Sequence, residues 1–342
     1  MRSKRQTARM STTGISRRAL GRSGIEVSAL GFGCWAIGGE WHDTEGNPLG
    51  WGPVDDAESV RAIHRAIDLG VTFFDTADTY GAGHSERVLG KAVAGRRDGV
   101  VLASKWSSVF DEETKTAFGE PGLTPEYARS ALTATLRRLG TDHLDLYQFH
   151  SNAGPLEEAA VLRETCEEFV REGLIRAYGW STDDPERARL FAEGEHCAAV
   201  QVNLNVLQDA PEMLALCDEV DIAAVNRGPL AMGVLTGKYG TGGDVTGKGD
   251  IRSVPPGWLS FFSDGRVAPE WQARFDAVRD ILTSGGRTPA QGALAWLWAR
   301  SPRTVPIPGI RTVAQAEENA GALAFGPLTA AQMAEIETLL KR

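Results

Sequence analysis

The 342-residue sequence predicts an α/β fold, a single (β/α)8 TIM barrel with an N-terminal β-hairpin and long active-site loops. Two observations predict it. Short apolar runs rich in β-forming residues alternate with longer segments that carry helix-start signals, and no linker or change of composition interrupts the alternation. Eight such runs occur, at 29–32, 72–75, 100–104, 144–149, 177–180, 199–202, 222–226 and 304–307, the number at which a parallel sheet closes on itself. An open doubly wound sheet with a second domain would need a break that the sequence lacks.

In chain order, residues 1–16 are rich in Thr and Ser and carry Arg2, Lys4, Arg5 and Arg9, which predicts a flexible tail; 17–342 form one barrel domain. Residues 18–20 and 25–27 flank Gly21-Arg22-Ser23-Gly24, a hairpin placed to plug one end of the barrel. Helix starts follow the strands. Ser85 precedes Glu86, Thr124-Pro125-Glu126 and Asp184-Pro185 each pair a cap with a first-turn proline, and Thr288-Pro289-Ala290-Gln291 adds the glutamine of a capping box. The segment 236–268 holds eight glycines and two consecutive prolines without periodicity. It predicts a long functional loop after strand seven, where barrels place a phosphate site or a lid.

Composition narrows the function. With 36 basic and 45 acidic residues the net charge is −9, which argues against nucleic acid or anionic membrane as partner and makes any phosphate site a local one. Cys34, Cys166, Cys197 and Cys217 have neither disulfide-framework nor zinc spacing, so reduced thiols and a cytoplasmic location are expected. The longest apolar stretch, 293–299, is far shorter than the ~18 residues of a membrane span. No H-x-H, H-E-x-x-H or G-x-S-x-G motif points to a metal or a nucleophilic serine.

Two motif matches fail on context. Gly31-Phe32-Gly33-Cys34-Trp35-Ala36 fits the dinucleotide fingerprint, but Gly38, Gly39, Gly46 and Pro48 describe a loop where the fingerprint needs a helix. Gly242 to Lys248 fits the start of a P-loop, yet Gly249 stands where Ser or Thr would bind Mg²⁺.

The chemistry lies at strand ends, where barrel active sites form. Strand two ends in Asp75, with Tyr80 five residues on; strand three ends in Lys105-Trp106, and strand four in His150. A phenol is a poor acid at neutral pH unless its anion is stabilised. An ammonium ~4 Å away is worth about 4 kcal/mol at an effective dielectric of 20, on the order of a thousandfold in acidity. Lys105 is therefore expected to bring Tyr80 towards working pH, Asp75 to keep Lys105 charged, and His150 to orient an oxygen. Such a set suits protonation of an oxyanion as it forms on a carbonyl.

The segments FFDTADTYGAGHSERVLGKA, LASKW, LDLYQFH, GLIRAYGWST, GPLAMGVLTGKY and PIPGIRTVAQAEENAGAL, spread from about Arg18 to Leu340, resemble the aldo-keto reductase superfamily. The resemblance implies an NADPH (NADP+) enzyme that reduces small-molecule aldehydes and ketones without metal or flavin, and the aromatic loop residues named below suggest that its carbonyl partner is apolar or aromatic. It makes Tyr80 the general acid, tuned by Lys105 and Asp75, with His150 orienting the carbonyl. Ser181, Thr182 and Gln201 would hold the nicotinamide carboxamide, Thr182 standing where Asn is common. Arg227 stands where many members stack a tyrosine on the nicotinamide, beside Gly228 and Leu230. Leu235, Gly237 and Lys238 would fold over the pyrophosphate. Gly309 and Arg311 precede a helix whose N-terminus attracts phosphate, Arg311 facing the adenosine 2′-phosphate, while Gln315, Glu318 and Asn319 contact the adenosine end. Trp35 and Trp106 would line the substrate pocket, joined by Trp41, Phe110, Trp258, Phe261 and Phe262. Two other classes use the same residues: a Schiff-base barrel lyase with Lys105 as nucleophile, and a non-catalytic NADP(H)-sensing subunit.

Overall fold

A computed structural model describes residues 17–240, 245, 247 and 249–342; the expected tail, 1–16, and most of the P-loop-like run lie outside the described residues. Eight parallel strands form the barrel: β1 (Gly31–Gly33), β2 (Phe73–Asp75), β3 (Val101–Trp106), β4 (Leu144–Phe149), β5 (Ile175–Ser181), β6 (Cys197–Asn203), β7 (Ala223–Arg227) and β8 (Thr304–Pro306). Each lies within two residues of its expected bounds. They pair in chain order, and a bridge between Gly33 and Gly309 joins the last strand to the first.

Side chains alternate across each strand, and this sorts the residues into two cores. Phe73, Val101, Ala103, Leu146, Ala177, Ala199, Ala223, Val225, Val305 and Ile307 fill the barrel interior. Their neighbours Phe74, Leu102, Tyr147, Phe149, Trp180 and Val200 face the helices. The hairpin, Arg17–Ala19 paired with Glu26–Ser28, adds Leu20, Ile25 and Val27 to the interior and closes the bottom, as its position in the sequence predicts. Its turn passes so close to the strands that a Cβ on Gly21 would lie 2.5 Å from the Asp221 carbonyl oxygen.

The helices are α1 (Asp56–Asp68), α2 (His84–Val93), α3 (Pro125–Leu139), α4 (Leu156–Arg171), α5 (Pro185–Ala192), α6 (Pro211–Val220), α7 (Pro269–Thr283), α8 (Pro289–Arg300), α9 (Val313–Gly321) and α10 (Ala330–Leu340). Thr124, Asp184 and Thr288 cap α3, α5 and α8, the last with its reciprocal Gln291 bond. Ser85 does not cap α2. Gly83 does, because Ser85 Oγ is drawn inward to donate to the Cys34 carbonyl.

Long loops build the mouth. The segment after β3 forms a hairpin, Ser108–Asp111 with Thr116–Pro121, that pairs with His42–Asp43 from the loop after β1. After β7 come a 3-10 turn, Ala231–Thr236, another at Ile251–Ser253, and a small ribbon, Phe262–Ser263 with Arg266–Val267. This loop is tied to the one after β1, where Ile251 N–H donates to the Gly50 carbonyl at 2.8 Å. After Gly31-Phe32-Gly33 the chain makes one 3-10 turn, Trp35–Gly38, not the helix that a dinucleotide fingerprint requires.

Candidate active site

Alternation carries the polar residues at the top of the strands inward. Asp75 follows Phe73, Lys105 follows Ala103, Gln148 and His150 follow Leu146, Gln201 follows Ala199, and Arg227 follows Val225, all at two-residue steps from interior positions. Ladder register sets them side by side, pairing Lys105 with Gln148, Ser181 with Gln201 and Asn203 with Arg227.

Lys105 is fully buried and its ammonium is fully used. Nζ donates to Asp75 Oδ1 at 2.5 Å, to the Thr76 carbonyl at 2.7 Å and to Tyr80 Oη at 3.2 Å. Burial works against its charge, but Asp75 and Tyr80 outweigh this and hold its pKa above the ordinary value. Asp75 is held in turn by Gln148 and Gln201, whose Nε2 atoms donate to Oδ2 at 2.8 and 2.9 Å. Gln148 is missing from the sequence-based set, although its place two residues before His150 on one strand face is a signal that could have found it.

Tyr80 reaches this cluster on a loop whose backbone touches the turn after β1. A Cβ on Gly81 would lie 1.9 Å from the Gly38 carbonyl oxygen, and φ there is +62°. The phenol corrects one expectation. Burial raises its pKa above 10, Lys105 lowers it and Asp75 raises it, and burial wins. The resting group is a neutral phenol that accepts a bond from Lys105 and keeps its own O–H free. His150 meets the Tyr80 ring edge-on, centroids 6.1 Å apart. Burial, then the Lys105 and Arg227 charges, push its pKa well below the usual 6.5, so its imidazole is neutral.

One wall of the mouth is aromatic. Trp35 stacks on Tyr80 at 5.8 Å, meets Trp51 edge-on at 5.3 Å and lies 6.3 Å from the exposed Trp258. Trp106 does not belong to it. One step beyond the inward Lys105, it points out of the barrel, fully buried and stacked on Tyr147 at 4.5 Å. Phe261 and Phe262 are likewise buried in the helix-side core, Phe110 lies against Arg138, and Trp41 is only 8% exposed.

The residues expected at a dinucleotide line a path across the mouth. Ser181 ends β5 and Thr182 follows it, both buried, Thr182 Oγ1 accepting the Asp184 N–H at 3.1 Å. Arg227 pairs with Asp183, and the Gly228 carbonyl accepts from Asn205. Leu230 and Leu235 pack against the core, and Gly237 closes the 3-10 turn in a left-handed conformation. Beyond it Lys238, Arg252 and Arg311 share one field: burial and the two arginines lower the Lys238 pKa, with only Asp250 opposing. A lysine whose charge is opposed by two neighbouring arginines suits a polyanion, so these residues fit the phosphates of a dinucleotide. Arg252, 6% exposed and bound to Asp250 through Nε and Nη2, has no signal in its Gly-rich surroundings.

At α9 the sequence predicts open N–H groups, and there the structure differs. Glu58 of α1 accepts the Val313 N–H at 2.9 Å, Thr312 Oγ1 accepts that of Gln315, and Gln315 Oε1 accepts that of Arg311. A carboxylate already occupies the positive end of the helix. Arg311 Nη1 donates to the Trp51 carbonyl, Gly309 sits exposed at the β1–β8 bridge, Asn319 is buried, and the Glu318 carbonyl accepts from Gln291. Among the described residues there is no cluster able to hold a metal, all four cysteines are free, and no helix is long and apolar enough to cross a membrane.

Comparison with known proteins agrees with this geometry. The aldo-keto reductase yakc [NADP(+)] of Schizosaccharomyces pombe is 33% identical over 310 residues, covering 87% of this chain and 84% of the yeast protein. Among solved structures, the glycerol dehydrogenase of Gluconobacter oxydans superposes with a TM-score of 0.77 at 27% identity, covering 96% of this chain and 95% of that one. An aldo/keto reductase from Klebsiella pneumoniae, in complex with NADP and acetate, gives 0.67 at 26% identity over 95% and 96%. The model of the aldo/keto reductase family matches residues 29–341, and the chain belongs to that family.

Proposed function

We propose that the protein reduces aldehyde or ketone carbonyls to alcohols with NADPH, Tyr80 acting as general acid. NADP is named with both the Schizosaccharomyces pombe and the Klebsiella pneumoniae relatives, and the Lys238, Arg252 and Arg311 cations fit the phosphates of such a dinucleotide. When bound it supplies the hydride that the carbonyl carbon takes up. The chain's residues handle the proton. Tyr80 O–H donates to the carbonyl oxygen and transfers its proton as negative charge develops there. The phenolate left behind lies 3.2 Å from the Lys105 ammonium, which stabilises it until solvent returns the proton. Neutral His150 donates an N–H to the same oxygen and fixes its direction.

The observation that carries this reading is the shared ammonium: one buried Lys105 bonded to both Asp75 and Tyr80. The same geometry weakens the Schiff-base alternative, which needs a neutral amine with a free lone pair. Stacked on Tyr80, Trp35 favours apolar or aromatic carbonyls over polyhydroxylated ones. A panel of aryl, alkyl and sugar aldehydes with NADPH and NADH, followed by loss of reduced-nicotinamide absorbance, tests the reading. Turnover is expected with NADPH and to fall by about 10²–10⁴ in Tyr80→Phe. Full turnover in that variant removes the mechanism, and NADPH binding without turnover on any carbonyl favours the sensing subunit.

A further inference from the structure

The mouth holds a second cation besides Lys105. Arg227 ends β7 on the inward face, two residues beyond Val225 of the barrel interior. Its charge reaches both proton-handling groups, Tyr80 and His150. An arginine one-third exposed at a strand end is ordinarily free to swing into water. This one is tied. Asp183, just past β5, accepts the Asn203 backbone N–H through Oδ1 at 2.7 Å and an Arg227 Nη2 hydrogen bond through Oδ2. The Asn203 bond anchors the carboxylate to the end of β6, and β6 pairs with β7 at Asn203 and Arg227. One carboxylate thus spans three adjacent strand ends.

We propose that Asp183 is a positioning residue for the reaction, pinning the Arg227 guanidinium at the rim so that a second cation, opposite Lys105, faces Tyr80 and His150. This rests on the reading of those two residues as the groups that act on the carbonyl. The charged groups that face them are Lys105 from β3, Asp75 from β2 and Arg227 from β7. Lys105 is locked by its three hydrogen bonds. Arg227 is the adjustable member, and its tether decides how much of its charge the site feels.

The test separates pinning from neutralisation. In the cofactor-free enzyme, the His150 imidazole is titrated by NMR, with His150→Asn assigning its signal. Arg227→Met removes the charge and is expected to move the His150 midpoint up by about half a pH unit, the scale of a partly solvated charge. Asp183→Asn, at a half-exposed position, is expected to move it in the same direction because the guanidinium is released. The double variant should move it no further than Arg227→Met alone. The alkaline limb of kcat/KM, set by Tyr80, should rise in parallel. A downward shift in Asp183→Asn would mean that Asp183 only dilutes a fixed charge, and this, additive shifts, or no shift would each overturn the proposal. Full activity in Tyr80→Phe, with the NMR shifts as expected, would instead remove the assigned mechanism and leave the tether standing.

Discussion

Lys105 Nζ lies 2.5 Å from Asp75 Oδ1, with both side chains sealed from solvent at 0 and 2% exposure. A buried pair of this kind is poor evidence of net stability, because desolvation offsets the attraction, but losing one partner leaves a bare charge. In the proposed mechanism its value is functional: it keeps an ammonium beside the Tyr80 phenol.

Lys105→Met leaves the Asp75 carboxylate with only the Gln148 and Gln201 amides. Stability is expected to fall by about 3–5 kcal/mol in urea unfolding, and kcat by about 10²–10⁴. Adding Asp75→Asn should recover part of the stability and none of the turnover. Recovery of both would show that the pair is structural.

The pH profile follows from the signs. His150, held below its ordinary pKa, binds a proton less readily folded than unfolded, so its contribution to stability is present above about pH 6.5 and is lost as pH falls through its folded pKa. Tyr80 and Lys105, both raised, contribute stability that is complete below about pH 10 and is lost as pH rises through their folded values. Thermal unfolding from pH 4 to 11 should show a plateau bounded on both sides, with His150→Asn flattening the acid side alone. An unaltered acid limb in that variant would assign it to other groups.

Glu58 occupies the N-terminus of α9, two residues from Arg311, which we propose meets the 2′-phosphate. Its charge opposes that phosphate. Glu58→Gln is expected to tighten NADPH by about three- to tenfold and leave NADH unchanged, whereas Arg311→Leu weakens NADPH alone. Fluorescence titration with both dinucleotides measures this, and equal effects on the two would place neither residue near the 2′-phosphate.

Arg227 puts a charge at the end of β7, where the proposed function places the nicotinamide. Such a charge disfavours the cationic oxidised nicotinamide relative to the neutral reduced one. Arg227→Tyr should therefore lower the NADP+/NADPH dissociation-constant ratio, by on the order of tenfold for one charge felt through partly solvated protein. Competitive calorimetry gives the ratio, and an unchanged or larger value would remove the argument.

Periodicity in the sequence was enough to count the strands, the plugging hairpin and the helix caps at Thr124, Asp184 and Thr288, because each depends on a few adjacent residues. Asp75, Tyr80, Lys105 and His150 were legible as strand-end groups for the same reason. Their acidities were not. The sequence shows that Lys105 can stand near a phenol, but only packing shows that burial outweighs its charge and keeps Tyr80 protonated. Trp106 was misplaced because adjacent residues on a strand face opposite ways, and the inward Lys105 forces it outward.

What the amino-acid order determined by itself is the barrel and which polar groups stand at its strand ends, since backbone alternation and capping are local. What tertiary structure alone decided is which charges meet across distant segments: Glu58 at α9, Arg252 beside Lys238, Asp183 on Arg227. Electrostatic energy depends on separation in space and on burial, and neither is written in the spacing of residues along the chain.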